Sequence, residues 1–105
     1  ELIAKKISSI AKDKKVIIWG AGRIFDAIIT IGMLKPNKNI LVIDKYLSLY
    51  MDKISGFSIS GPNKIKCKEN SAEIFILSRA FAREIKEEAQ ILGFSKFHLF
   101  SDYFN

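Results

Sequence analysis

The stretch Val16-Ile17-Ile18-Trp19-Gly20-Ala21-Gly22-Arg23 constrains the fold more than any other part of the chain. A β-branched run ends at Trp19, the chain turns through two glycines, and a helical pattern opens at Arg23. Parallel strands need a long crossover between them, usually a helix, so an apolar strand feeding directly into a helix is the opening unit of a parallel α/β sheet. The same junction leaves the first amides of the helix without intrahelical partners, at the positive end of its dipole, where an anion can be held.

The remaining pattern repeats this alternation. Leu2, Ile3, Ile7, Ile10 and Ala11 recur near helical spacing and predict a first helix over 2–12. After the glycine turn, Ile24, Ala27, Ile28 and Ile31 form one stripe, widened by Phe25, Ile29 and Met33, and Gly32 and Pro36 mark its stop. Ile40-Leu41-Val42-Ile43 is continuously apolar and closes at Asp44, as a strand covered on both faces should. Phe57-Ser58-Ile59-Ser60 alternates and predicts a short edge strand. Glu73-Ile74-Phe75-Ile76-Leu77 is again strongly apolar. Ser78 is placed to cap a helix over 79–92, on which Phe81, Ile85, Ala89 and Leu92 share a face and Gly93 gives the stop. Arg83 and Glu87 on that helix are spaced for an ion pair. Lys96-Phe97-His98-Leu99-Phe100 predicts the last strand. The expected fold is α/β, a small doubly wound parallel sheet of strand order 3-2-1-4-5 flanked by helices, in one domain over 1–105.

At 105 residues, with 49% hydrophobic and 27% charged residues, the composition is that of a folded globular domain. No apolar run approaches the roughly 18 residues that span a bilayer, the N-terminus lacks the apolar core of a secretion signal, and the single Cys67 makes a reducing cytoplasm the expected setting. The first residue is Glu1 rather than Met, so the sequence is expected to be part of a larger protein whose other domains are partners. A single cysteine, Cys67, excludes an internal disulfide and a cysteine-based metal cluster. The net charge of +6 comes from 17 Lys+Arg against 11 Asp+Glu, but only Arg23, Arg79 and Arg83 are arginines and the lysines are spread along the chain. That distribution argues against a nucleic-acid surface, which clusters Arg and Lys on one face.

The candidate site lies where strand order reverses, at the carboxyl ends of the first and fourth predicted strands. Gly20, Ala21 and Gly22 bring backbone close to a ligand, and Arg23 adds a fork of donors for phosphate or carboxylate. Asp44, 24 positions after Gly20 at the end of the second strand, is placed to accept from ribose hydroxyls. Ser78 closes the set. The expected ligand is small and phosphate-bearing. A dinucleotide fingerprint needs a third glycine where this chain has Phe25, which argues against an NAD seat and for a smaller nucleotide. Trp19 is expected in the core and His98 as an isolated strand histidine. No catalytic set and no metal-ligand set can be assembled.

Lys15-Val16-Ile17-Ile18-Trp19-Gly20-Ala21-Gly22, Leu41-Val42-Ile43-Asp44, Gly56-Phe57-Ser58-Ile59-Ser60-Gly61-Pro62 and Ile74-Phe75-Ile76-Leu77-Ser78 together resemble a small Rossmann-like module of bacterial surface-carbohydrate enzymes. Similar arrangements occur in the N-terminal domain of nucleotide-sugar acetyltransferases, in accessory domains of polysaccharide-biosynthesis proteins and in the C-terminal domain of sugar C-methyltransferases. The resemblance implies a nucleotide or nucleotide-sugar ligand held by Gly20, Ala21, Gly22, Asp44 and Ser78, with catalysis supplied from outside the module. The chain departs from those relatives at Asp44-Lys45, where they often carry paired acids. The alternative expectation is a ligand-free module that docks another domain or a second copy of itself. Its basis is the apolar residues outside the helical stripes: Tyr46, Leu47, Leu49, Tyr50, Tyr103 and Phe104.

Overall fold

A computed structural model describes residues 2–64 and 71–103; Cys67 and Phe104 lie outside the described residues. In chain order the elements are α1 (Leu2–Ala11), β1 (Val16–Trp19), α2 (Arg23–Thr30), β2 (Ile40–Ile43), β3 (Lys53–Ile54), β4 (Phe57–Ser60), β5 (Glu73–Ile76), α3 (Ala82–Ile91) and β6 (Lys96–Leu99). The strands form one sheet in the order β3-β4-β2-β1-β5-β6. All neighbours pair in parallel except β3 and β4, which are antiparallel. The fold is therefore mixed α/β with a mostly parallel sheet.

Alternate residues of the strands feed two separate cores. On one face Val16, Ile18, Val42, Ile59 and Phe75 pack under α1 and α2, which contribute Ile3, Ile7, Phe25 and Ile28. On the other, Ile17, Trp19, Ile43, Ile74 and Ile76 pack under α3 through Ala89, Ile85 and Leu92. Burial on both faces explains the unbroken apolar runs of β1 and β5.

Three expectations are corrected. Phe57–Ser60 is not an edge strand, because β3 pairs along its free side. The two are joined by Ser55 and Gly56, both at positive φ (50° and 86°), a two-residue turn whose twist matches the flanking strands. α2 ends at Thr30, so Ile31 and Met33 fall off its buried stripe and are exposed. α3 begins at Ala82 rather than 79: the Phe81 N–H donates to Ser78 Oγ at 3.2 Å, which closes a turn ahead of the helix and leaves its first residues without a side-chain cap. Phe81 is consequently exposed rather than on the apolar face, and Arg83 and Glu87 form no ion pair.

The register sets up the site. Trp19 stands opposite Ile43 on one side and Ile76 on the other, so β1, β2 and β5 end level with one another. The ladder then runs on a little: the Gly20 N–H donates to Ile43 O at 2.8 Å and the Leu77 N–H to Trp19 O at 3.0 Å. Whatever follows these three strands is brought to one end of the sheet.

Candidate functional site

At that end lies a cavity of about 470 Å³, lined by the β1–α2 turn, the residues after β2 and the segment from Leu77 into α3. Its floor is Trp19, itself buried. Of the residues the sequence singles out, Gly20, Gly22, Arg23, Asp44 and Ser78 line it. A second cavity, about 420 Å³, opens at the opposite end around Asn37–Leu41 and Gly56–Ser58, but its lining carries no arginine and no carboxylate.

Gly20 has φ +112°, and a Cβ there would come within 3.3 Å of Leu77 O. The turn between β1 and α2 therefore needs glycine at this position for both conformation and space. Gly22 faces open space. Past it, α2 starts without a side-chain cap, and the first amide in the turn to meet a backbone acceptor is that of Asp26, on Gly22 O at 3.0 Å. The N–H groups of Gly22, Arg23 and Ile24, three residues of the cavity lining, have no acceptor among the described residues. Donors left in this way at a positive helix end favour an anion.

Two expected ligand contacts take other roles. Ala21 is buried, does not line the cavity, and donates its N–H to Asp44 Oδ2 at 2.9 Å. Asp44 Oδ1 accepts from the N–H groups of Tyr46 (3.0 Å) and Leu47 (2.8 Å). Its carboxylate thus clasps the glycine turn to the loop after β2. Phe25 does not intrude either. Its ring is fully buried and meets Phe57 edge-on at 5.4 Å, so it packs α2 against the sheet where a third glycine would permit closer approach.

The sequence pattern does not mark the α3 side of the cavity, which Arg79, Phe81, Glu84, Ile85 and Glu88 line. Arg79 holds its guanidinium 5.1 Å from the centre of the Phe100 ring. Arg23 and Lys45 are cationic residues of the lining; Arg79 lines the cavity too, but its guanidinium rests on Phe100, which lies outside that lining, and Tyr46 and Phe81 are exposed aromatics among the lining residues. The only trace of this side in the sequence is the i, i+4 spacing of Glu84 and Glu88 on a helix. Among the described residues no group of three or more His, Cys, Asp or Glu is placed to share a metal ion, and no helix is long and apolar enough to cross a membrane.

Toward the amino end of β5 lies a second polar group that includes His98. Its Nε2 donates to Glu73 Oε1 at 2.6 Å, its Nδ1 meets the Tyr103 hydroxyl at 2.9 Å, and its ring stacks on Phe75 at 4.2 Å. Lys14 Nζ stands 3.7 Å from Glu73 Oε2. The hydrogen bond from His98 holds the Glu73 carboxyl below its ordinary range against the opposing effect of burial, with the charges of His98, Lys14 and Lys96 adding to it. Burial pushes the Tyr103 hydroxyl up. A carboxyl with a depressed folded-state pKa stabilises the fold above its unfolded value, and that contribution is lost as pH falls through the depressed one. We therefore expect wild type to lose stability relative to Glu73→Gln as pH is lowered from about 6 to about 3. Urea unfolding of both proteins across that range checks it; parallel pH profiles would show that Glu73 carries no such linkage.

No curated protein and no solved structure matches the chain. Residues 12–100 match the family described as C2185-like, N-terminal, a span that runs from the end of α1 through all six strands and contains every residue of the crevice. The chain belongs to the C2185-like, N-terminal family.

Proposed function

We propose that this domain is a non-catalytic nucleotide- or nucleotide-sugar-binding module of a larger bacterial transferase acting in surface-polysaccharide synthesis. The observation that carries the reading is the crevice at the ends of β1, β2 and β5, a volume of about 470 Å³ lined by the uncapped start of α2 and by Arg23 and Lys45. That size lies within the usual range for small-molecule sites. Support for a Rossmann-like unit comes from the parallel part of the sheet: without the added edge strand β3, the strands run 3-2-1-4-5 in chain order, and the crevice opens where that order reverses. The resemblance to nucleotide-sugar enzymes points the same way. Asp44 enters this reading as the residue that shapes the turn, with Gly20, Gly22, Arg23 and Ser78 around the ligand.

The docking-module alternative draws on the exposed side chains of Tyr46, Leu49 and Tyr50. It would be favoured by a crevice plugged with the chain's own side chains, but Phe25 turns into the core and Trp19 only floors the cavity. Thermal shift with UDP, CMP, NAD and S-adenosylmethionine separates the readings. A ligand at 100 times its Kd adds about 2.7 kcal/mol, a rise of roughly 10–15 °C for a domain of this size. Such a rise is expected with at least one nucleotide, and Arg23→Ala should weaken that ligand about tenfold, roughly 1.4 kcal/mol. No stabilisation by any of the four would discard the ligand reading in favour of docking.

A further inference from the structure

Lysines that are scattered along the sequence are gathered by the fold. Val16, Ile40, Glu73 and Lys96 stand level across the sheet, so β1, β2, β5 and β6 all start at the end opposite the crevice. The segments leading into β1 and β2 carry Lys12, Lys14, Lys15, Lys35 and Lys38, and β6 begins on Lys96, all of them exposed. Lys14 pairs with Glu73, and the other five form no ion pair among the described residues. Asp13 and Glu73 are the carboxylates described in these segments. The same end carries exposed aliphatic side chains. Ile31 and Met33 follow α2 and Ile91 closes α3, at 71%, 69% and 85% exposure. Both helices carry the chain back to the start of a parallel strand, which brings their last residues here.

The two ends of the sheet differ in kind. Arg23, Arg79 and Arg83 all belong to segments that leave the strands on the crevice side, as do the exposed aromatics Tyr46, Tyr50 and Phe81. A single-stranded nucleic acid stacks its bases on aromatic rings or guanidinium planes. Among the described residues the lysine end offers no arginine and no exposed aromatic ring. Ammonium groups around exposed aliphatic chains suit instead an anionic bilayer, where the charges meet headgroups and the apolar tips enter the acyl boundary. We infer that this end of the sheet docks on an anionic lipid surface, with Ile31, Met33 and Ile91 dipping into it. The crevice then faces away from the lipid, toward solution. The association is peripheral and electrostatic, so salt loosens it.

Co-sedimentation of the 105-residue chain with vesicles tests it, using phosphatidylcholine alone and with about 30% phosphatidylglycerol. Partitioning should be at least about tenfold higher on the anionic vesicles, and should fall several-fold between about 0.1 M and about 0.5 M salt. Each lysine near an anionic surface multiplies partitioning about fivefold, so Lys35→Ala/Lys38→Ala should lose roughly 25-fold. Met33→Ser/Ile91→Ser keeps every charge and should still lose about fivefold. Lys5→Ala/Arg83→Ala removes two charges from exposed positions early in α1 and α3, toward the crevice end, and should stay within about twofold. Equal binding to the two vesicle types, or equal losses in the two charge variants, would overturn the docking surface. An unchanged Met33→Ser/Ile91→Ser would overturn the insertion and with it the lipid assignment. Tighter binding of an oligouridylate than of anionic vesicles, followed by fluorescence anisotropy, would give this end to RNA instead.

Discussion

Replacing Asp44 by alanine is expected to lower the melting temperature by roughly 12–20 °C, the equivalent of about 3 kcal/mol in a domain of this size. The loss follows from three backbone amides that share one carboxylate: Ala21 on Oδ2, Tyr46 and Leu47 on Oδ1. Hydrogen bonds to a charged group contribute about 1.5–3 kcal/mol each when desolvated. Here the Ala21 and Leu47 bonds are partly buried and the Tyr46 bond is exposed, so about 3 kcal/mol is a restrained total. Asp44→Asn should recover part of it, since the amide oxygen still accepts but the NH₂ group faces a donor. Thermal unfolding followed by circular dichroism is the measurement. A side chain whose whole role was to meet a ribose would leave the melting temperature of the ligand-free protein unchanged, and that result would refute the clasp.

The second large effect is expected at Gly20. An alanine there must adopt φ near +112° and bring its methyl within 3.3 Å of the Leu77 carbonyl oxygen, a backbone atom that cannot swing aside. Backbone strain of this kind costs about 1–3 kcal/mol, so Gly20→Ala should lose about 2 kcal/mol and roughly 10 °C. Gly22→Ala is the matched control. Nothing lies within 4 Å of its added methyl, so the loss should be the smaller of the two, up to about 1 kcal/mol for a glycine N-cap replaced by alanine. Equal losses at both positions would show that the turn responds to something other than the crowding and conformation of Gly20.

The two glycines look alike in the sequence, where they form one feature. Their difference depends on Leu77, which reaches Gly20 only because β5 lies beside β1 in register. Asp44 follows the same logic. Its place at the end of an apolar strand is plain from residues 40–44, but its engagement with Ala21, 23 positions away, needs β1 and β2 to end level. His98 looks isolated in the sequence, since its partners Glu73 and Tyr103 come from β5 and from the turn after β6. β3 escaped notice because two residues are too few to show an alternation, although Ser55-Gly56 carried a turn signal. The α3 side of the cavity is illegible for another reason: the periodicity predicts a helix start at 79, three residues ahead of Ala82, and so places Phe81 on the buried face.

What the sequence alone determined is local and periodic: where apolar runs make strands, which of them are covered on both faces, and where the glycine turn joins the first strand to its helix. These are legible because backbone conformation and burial leave their mark on neighbouring residues. Only the tertiary structure decided which donors are free and which are taken, since hydrogen-bond partners come from strands tens of residues apart whose register no local pattern records. That is why Ala21 and Asp44 became each other's partners, while Gly22, Arg23 and the carboxylates of α3 were left facing an open crevice.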